Sequence, residues 1–356
     1  MIDYAVIEAE TIPERYARGW HCLGLQVDFT EAPRKIEAFG TELVAYRGES
    51  GALRVSSAFC PHMGGNLCDG WVEGESIRCA FHSWRWGADG VCDHIPYAKK
   101  IPEKARIRSY EVLEENQFVF IWHDPEGSPP IPEQRPPHMS ECDSDEWTDW
   151  VIETKRIETN CRELVDNMSD KAHFAPVHGA GARVFKNTFH KHTCVQFMQG
   201  ESARLSEDDV LTTEATYYGP AYMITVMQGQ MEGMPVDTRL LVAHVPVTTE
   251  SFDLHFGVMM KKTPGLDDAT NAAIIDEYIK LSQESFAEDV VIWQNKVRVD
   301  NPILCDGDGP INRLRKWYDQ FYVDIADVPT TWNNAKEYTV DAYNPIPTQR
   351  LEETSK

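Results

Sequence analysis

The sequence predicts an α+β fold in two domains, and three observations carry that expectation. Residues 18–125 read as short strands broken by turn signals, residues 123–137 hold six prolines, and the remainder joins strand-like runs to one long helical pattern. A chain of 356 residues also exceeds the usual size of a single hydrophobic core.

The elements follow in order. Glu42-Leu43-Val44-Ala45-Tyr46, Arg54-Val55-Ser56-Ser57 and Gln117-Phe118-Val119-Phe120-Ile121-Trp122 are rich in β-branched and aromatic residues. Turn signals such as Arg47-Gly48-Glu49-Ser50-Gly51 and Asp89-Gly90 separate them, so a small antiparallel all-β domain is expected. Prolines at 125, 129, 130, 132, 136 and 137 cannot occupy a helix or sheet interior. They predict a semi-rigid linker and a boundary near residue 140, giving domains 1–140 and 141–356. Beyond it, residues 163–175 read as a helix. Tyr222-Met223-Ile224-Thr225-Val226-Met227, Leu240-Leu241-Val242-Ala243-His244-Val245 and His255-Phe256-Gly257-Val258-Met259-Met260 read as strands. Residues 271–295 form a long helix with apolar positions at Ile274, Ile275, Tyr278, Leu281, Phe286 and Val290. Strands followed by such a helix predict a helix lying across a sheet. The last ten residues, rich in Glu, Thr, Ser and Lys, are expected to fray.

Composition narrows the function. Hydrophobic residues at 42% and charged residues at 26% are ordinary for a soluble globular protein. Apolar runs such as Val290-Val291-Ile292-Trp293 are too short to span a bilayer, and Met1-Ile2-Asp3-Tyr4 opens no signal peptide, so a cytoplasmic location without a membrane span is expected. A net charge of −23 argues against nucleic acid and suits a cationic protein partner. Nine cysteines, an odd number without an export signal, point to reduced thiols plus a metal site.

The most informative segment is Cys60-Pro61-His62, then sixteen residues, then Cys79-Ala80-Phe81-His82. Zinc also accepts two thiolates and two imidazoles, but its sites usually pair Cys with Cys and His with His. Here Cys and His alternate, as needed if one iron takes both thiolates and its partner both imidazoles, which is the Rieske [2Fe–2S] arrangement. Gly64-Gly65 compacts the first loop, and Ser83-Trp84-Arg85-Trp86 is expected to form an aromatic and cationic lid. Cys68 is read as a free thiol, and Cys22, Cys92, Cys142, Cys161, Cys194 and Cys305 as small buried hydrophobes.

A second constellation is Asn167-Met168-Ser169-Asp170-Lys171-Ala172-His173-Phe174-Ala175-Pro176-Val177-His178. Spacing by three puts Asn167, Asp170 and His173 on one helix face, and Pro176 is expected to end or bend that helix so that His178 returns beside His173. Two imidazoles and a carboxylate make the facial triad of non-haem Fe(II) oxygenases. Asp289, an acid among apolar residues in Phe286-Ala287-Glu288-Asp289-Val290-Val291-Ile292-Trp293, is the favoured carboxylate; Glu288 fits an ordinary exposed helix acid. Asn167 is close enough to tune the iron or its water without being a ligand. Asn167-Met168-Ser169 matches a glycosylation sequon by chance, and Asp306-Gly307-Asp308-Gly309 reads as a turn. His21, His94, His123, His138, His190, His192, His244 and His255 read as surface or packing histidines. Tyr217, Tyr218, Tyr222 and Met223 are candidates for the wall of an apolar pocket, with plain core as the alternative.

These residues resemble the Rieske oxygenase family, specifically the oxygenase component of 3-ketosteroid 9α-hydroxylases. The likeness extends to Arg15-Tyr16-Ala17-Arg18-Gly19-Trp20-His21-Cys22, Asn160-Cys161-Arg162 leading to Asp166-Asn167, and Arg315-Lys316-Trp317-Tyr318-Asp319-Gln320-Phe321-Tyr322. The resemblance implies a Rieske domain followed by a helix-grip catalytic domain, with Asp289 as third ligand of a mononuclear Fe(II). It also implies a head-to-tail homotrimer in which Asp170 links one subunit's cluster to its neighbour's iron. The activity implied is hydroxylation of a 3-ketosteroid by O2, another apolar ring substrate being the alternative (by an aromatic dioxygenase, demethylase or sterol desaturase). No Gly-x-Gly-x-x-Gly fingerprint is present, so a separate NAD(P)H-dependent reductase must supply the electrons. Ala175-Pro176-Val177 and the stretch 189–206 depart from the family pattern, and both are expected to border the active site or its entrance.

Overall fold

The computed structural model describes residues 6–202, 211–231, 234–343 and 345–346. The C-terminal ten residues expected to fray, Met1-Ile2-Asp3-Tyr4 and residues 203–206 lie outside that set.

The N-terminal part is all β. Strands β1 (Gly19–Leu25), β2 (Arg34–Ala38), β3 (Thr41–Arg47), β4 (Leu53–Ser57), β5 (Trp71–Glu73), β6 (Ser76–Arg78), β7 (Arg85–Trp86), β8 (Cys92–His94), β9 (Ser109–Tyr110), β10 (Val112–Glu115) and β11 (Phe118–His123) form three antiparallel sheets. Their orders are β1-β11-β10, β2-β3-β4-β9 and β5-β6-β7-β8. The proline-rich stretch holds one 3-10 turn, Pro132–Gln134, and is tied to the first sheet where the Asn116 side-chain amide donates to the Pro137 carbonyl (2.8 Å).

The C-terminal part is built on one eight-stranded antiparallel sheet. It consists of β12 (Val151–Ile157), β13 (Ala180–His190), β14 (Thr193–Ser202), β15 (Leu211–Tyr218), β16 (Tyr222–Met231), β17 (Met234–Thr248), β18 (Ser251–Met260) and β19 (Lys336–Val340), in the order β12-β18-β17-β16-β15-β14-β13-β19. Four helices accompany it: α1 (Arg162–Asp166), α2 (Phe174–His178), α3 (Asp268–Trp293) and α4 (Ile311–Tyr318). Helix α3 starts where Asp267 accepts the Thr270 amide (2.7 Å), an N-cap just before the expected start.

Strand β18 shows why the sheet is covered on both faces. Alternate side chains Phe252, Leu254, Phe256, Val258 and Met260 meet Ile275, Ile279, Val290 and Trp293 of α3. Met259, with Leu241 and Ala243 of β17, points the other way, against Trp20, Phe118, Phe120 and Trp122 of the β1-β11-β10 sheet. Burying each such side chain contributes on the order of 1.5–3 kcal/mol. The expected helix across a sheet is therefore present, with the N-terminal sheet on the opposite face. Tyr222 packs edge-on against Phe120 (5.1 Å), so Tyr222 belongs to that interface rather than to a pocket wall, and Tyr218 leans on the same cluster.

One expectation is overturned. Residues 163–175 are not one helix: α1 ends at Asp166, residues 167–173 form turns, and α2 begins at Phe174. The cause is competition for carbonyls. The Asn187 amide donates to the Met168 carbonyl (2.6 Å), and the Gln196 amide donates to the carbonyls of Met168 (3.1 Å) and Asn167 (3.3 Å). Helical amides cannot then claim those acceptors without sharing. Gly309 lies so close that a Cβ there would sit 1.6 Å from the Ser169 carbonyl oxygen, which fixes the turn from outside. Pro176 lies in the first turn of α2, where its missing N–H costs nothing, so it opens a helix rather than ending one.

Ahead of the break, α1 is held by buried ion pairs. Asp166 accepts from Arg298 Nη1 and Arg315 Nη2 (2.7 Å each), while Glu10 binds Arg298 Nε (2.7 Å) and also pairs with Arg162.

All nine cysteines are free; Cys22, Cys92, Cys161 and Cys194 are buried as expected, but Cys142 is half-buried and Cys305 exposed. Asp308 accepts the Cys305 amide (2.7 Å), closing the expected turn.

Four histidines, His21, His123, His244 and His255, are buried where β1 and β11 meet β17 and β18. Rings of His123 and His244 lie 6.2 and 6.5 Å from that of His21. Both His244 nitrogens, Nδ1 of His21 and His123, and Nε2 of His255 find no hydrogen-bond partner among the described residues. Burial pushes His21 and His255 down to about 4 and His123 down to about 2, and holds His244 well below its usual range. All four stay neutral in the folded chain, whereas in the unfolded chain they protonate near pH 6.5. Between about pH 6.5 and about pH 4 the unfolded state therefore binds more protons, and each histidine lowers stability by up to about 1.4 kcal/mol per pH unit as pH falls. Melting temperature is expected to fall steeply across that window. The variant His244→Leu should flatten the slope by about one proton, and equal slopes in the two proteins would refute the cluster's role.

Candidate metal centres

The two cluster loops share one backbone design. The amide of Cys60 donates to the Gly65 carbonyl and that of Gly64 to the Cys60 carbonyl (2.9 and 2.8 Å). In the second loop the Cys79 amide donates to the Trp84 carbonyl and the Ser83 amide to the Cys79 carbonyl (2.9 Å each). In each loop the fourth residue after the cysteine has positive φ, +77° at Gly64 and +58° at Ser83. The turns bring the Cys60–His62 and Cys79–His82 pairs together, with the His62 and His82 rings 4.5 Å apart. Cys60 and Cys79 are buried at 1% and 2% exposure, while the two histidines are half-buried.

This arrangement fits a [2Fe–2S] cluster on three counts. A Cβ at residue 65 would lie 2.8 Å from Cys79 Sγ, so glycine there keeps the sulfur clear. His62 Nδ1 is buried without a partner among the described residues. Burial, with the Cys79 thiol beside it, pushes the Cys60 thiol up to about 11, so the thiolate needs a cation in the same place. The expected lid is partly revised: Trp84 stacks on His62 (4.5 Å, 13°), but Trp86 is fully buried core and Arg85 turns to Glu73 and Asp93 (2.6 and 2.7 Å). Cys68 stands outside the group, its thiol directed to the Leu43 carbonyl at 3.9 Å.

In the second centre the turn at 167–173 and helix α2 bring His173 and His178 to a ring separation of 5.2 Å. Helix α3 delivers Asp289, buried at 5% exposure, with its Oδ2 3.2 Å from His178 Nε2. Donor atoms of His173, His178 and Asp289 all lie within 4.8 Å of one another, the only such group of three among the described residues. Two imidazoles and one carboxylate beside an apolar cavity suit Fe(II) with open positions. His173 Nδ1 is occupied by the Asp170 carbonyl, which directs Nε2 to the shared centre. Burial opposes a charge on His173, but the Asp170 hydrogen bond and the Asp289 charge hold it above its usual range. Burial likewise opposes the Asp170 carboxylate, yet His173, with Lys296 further off, keeps it below the usual range.

Asp170 accepts the His173 amide (3.3 Å) and leaves 36% of its side chain exposed beside the centre. Asn167 lines the cavity, and its Oδ1 accepts Trp293 Nε1–H (3.2 Å). Glu288 differs from its reading as an ordinary exposed acid: its Oε2 lies 3.3 Å from His178 Nδ1, and Ser285 Oγ lies 3.2 Å from the same nitrogen. The helical spacing of residues 285, 288 and 289 was the available signal.

The cavity encloses about 330 Å³. Met168, Met198, Tyr217, Met223, Leu240 and Phe256 give it apolar walls, so Tyr217 and Met223 of the four candidates do line it. Of the departing segments, Gln196 and Met198 from 189–206 reach the cavity, but none of Ala175, Pro176 and Val177 does.

Comparison with known proteins agrees with this geometry. A family profile described as the Rieske [2Fe-2S] domain matches residues 19–111, and one described as the 3-ketosteroid 9alpha-hydroxylase C-terminal domain matches residues 121–322. The chain is 42% identical over 350 residues to a 3-ketosteroid-9-alpha-monooxygenase oxygenase component of Rhodococcus rhodochrous, covering 96% of this chain and 90% of the relative. It is 41% identical to the oxygenase component of that name from Mycobacterium tuberculosis (strain ATCC 25618 / H37Rv), covering 94% and 89%. The crystal structure of dicamba monooxygenase bound to dicamba shares the fold, with a TM-score of 0.70 at 20% identity over 86% of this chain and 98% of that one. The cofactors are accordingly a Rieske [2Fe–2S] cluster and a mononuclear non-haem iron. A Rieske-type oxygenase with these two centres, the chain belongs to the 3-ketosteroid 9α-hydroxylase oxygenase family.

Proposed function

We propose that this chain is the terminal oxygenase that hydroxylates a 3-ketosteroid at the 9α position, with O2 and electrons from a separate NAD(P)H-dependent reductase. The observation that carries the reading is the apolar cavity, which ends on His173, His178 and Asp289. A rigid hydrocarbon substrate would enter it by losing contact with water, the main driving force for apolar ligands.

On this reading Cys60, His62, Cys79 and His82 hold the cluster, within a unit of residues 1–140. His173, His178 and Asp289 hold the iron, within 141–356. The bound metals supply single-electron storage and reductive activation of O2. The protein's own part is to position and to exclude water. Asn167, with its oxygen committed to Trp293, has amide N–H groups left to offer a water or a substrate oxygen.

A cytoplasmic homotrimer is part of the proposal. The core beneath the cluster loops is drawn from residues between Val44 and Ile107, so those loops lean on no catalytic-sheet residue through it. Phe59, Met63, Phe81 and Tyr97 are exposed around them, and Val291, Ile292, Val297 and Ile303 are exposed beyond the Asp289 turn of α3. Two such patches on one chain suit a head-to-tail ring, in which Asp170 would link one subunit's cluster to the next subunit's iron. No helix among the described residues is long and apolar enough to cross a membrane.

Turnover of a 3-ketosteroid panel with a surrogate reductase should yield a product one oxygen heavier, placed at C9 by NMR. Hydroxylation elsewhere, or demethylation of a non-steroid ring substrate in its place, would refute the substrate assignment. The variant Asp170→Asn should keep both metal centres occupied and the cluster reducible, yet lower coupled turnover by at least about 100-fold. Wild-type turnover in that variant would remove the linking role.

A further inference from the structure

The geometry points to Glu288, assisted by Ser285, as the positioning residue that fixes and strengthens His178 as a metal ligand. This rests on the proposed role of His178 as an iron ligand. Helix α3 presents Ser285, Glu288 and Asp289 on one face, because residues three and four apart share a side. All three meet the same imidazole. Asp289 Oδ2 lies 3.2 Å from Nε2, Glu288 Oε2 3.3 Å from Nδ1 and Ser285 Oγ 3.2 Å from Nδ1.

An imidazole that gives one nitrogen to a metal must carry its proton on the other. Both neighbours of His178 Nδ1 accept that proton: a hydroxyl oxygen and a carboxylate oxygen. They fix the tautomer that turns Nε2 toward Asp289 and the centre. A carboxylate that accepts the proton of a metal-bound imidazole strengthens the bond to the cation. His173 is backed differently, by the main-chain carbonyl of Asp170, with the Asp170 carboxylate 3.8 Å from the same nitrogen.

Glu288 is 27% exposed at its side chain, so its replacement leaves no large cavity and the fold should survive. The test uses the full-length, cluster-loaded protein and follows release of mononuclear Fe(II) to a chelator, with cluster absorbance monitored separately. Glu288→Ala should weaken iron affinity about 10- to 100-fold. Glu288→Gln should restore part of it, since the amide oxygen still accepts the Nδ1 proton without the charge. Ser285→Ala should have a smaller effect, and Glu284→Gln, an exposed acid on the same helix, none. The visible bands of the Co(II)-substituted centre should shift in Glu288→Ala, while its metal-free melting temperature stays near wild type. Wild-type iron release in Glu288→Ala, alongside loss of iron in His178→Ala, would overturn the inference and leave the ligand assignment standing. Full iron retention in His178→Ala would instead overturn the ligand assignment, and the role of Glu288 with it.

Discussion

The capture of two backbone carbonyls governs the catalytic half of the molecule. Asn187 of β13 and Gln196 of β14 take the carbonyls of Met168 and Asn167, so the chain leaves its helix there and turns. Had the helix continued, His173 and His178, five residues apart, would project about 140° apart around its axis. The turn instead lets the two imidazoles face one point from a loop and a new helix. It also seats Asn167 against Trp293 and leaves Asp170 at the surface beside the centre. Both capturing side chains are buried and belong to the sheet, so the sheet shapes the candidate metal centre as well as supporting it.

The opposite wall depends on α3, which presents apolar side chains to β18 and carries Asp289 into the cavity. A buried acid among apolar neighbours is costly unless a cation joins it. Cavity-lining surface and the carboxylate proposed as a metal ligand thus come from one rigid element. Any displacement of α3 on the sheet would move both together.

Much of this was legible in the sequence. The Cys60–His62 and Cys79–His82 pairs are local, and local spacing survives folding. The strands around Tyr222-Met227, Leu240-Val245 and His255-Met260 are rich enough in apolar residues to be seen directly. Asp289 stood out as an acid among apolar neighbours, although the resemblance to a known family was needed to prefer it firmly. The interrupted helix was hidden, because its competitors Asn187 and Gln196 lie about twenty or more residues downstream. Strands β13 and β14 were hidden for the same reason: buried polar residues spoil the alternation that marks a strand. Glu288 was hidden because a helical acid reads as solvated until the partner across the fold is known. The four buried histidines came from strands scattered across both halves, each unremarkable where it stands in the chain.

The matching backbone turns around Cys60 and Cys79 have a bearing on how charge would travel. Each loop offers one sulfur and one nitrogen on a matching backbone turn, although His62 follows Cys60 by two residues and His82 follows Cys79 by three. Backbone shape at the turns does not tell the sulfur side of such a cage from its nitrogen side. What distinguishes them is depth: thiols face the interior, imidazoles the surface. A cluster held by these four side chains would have an insulated inner side and an outer side at which an electron could arrive or depart.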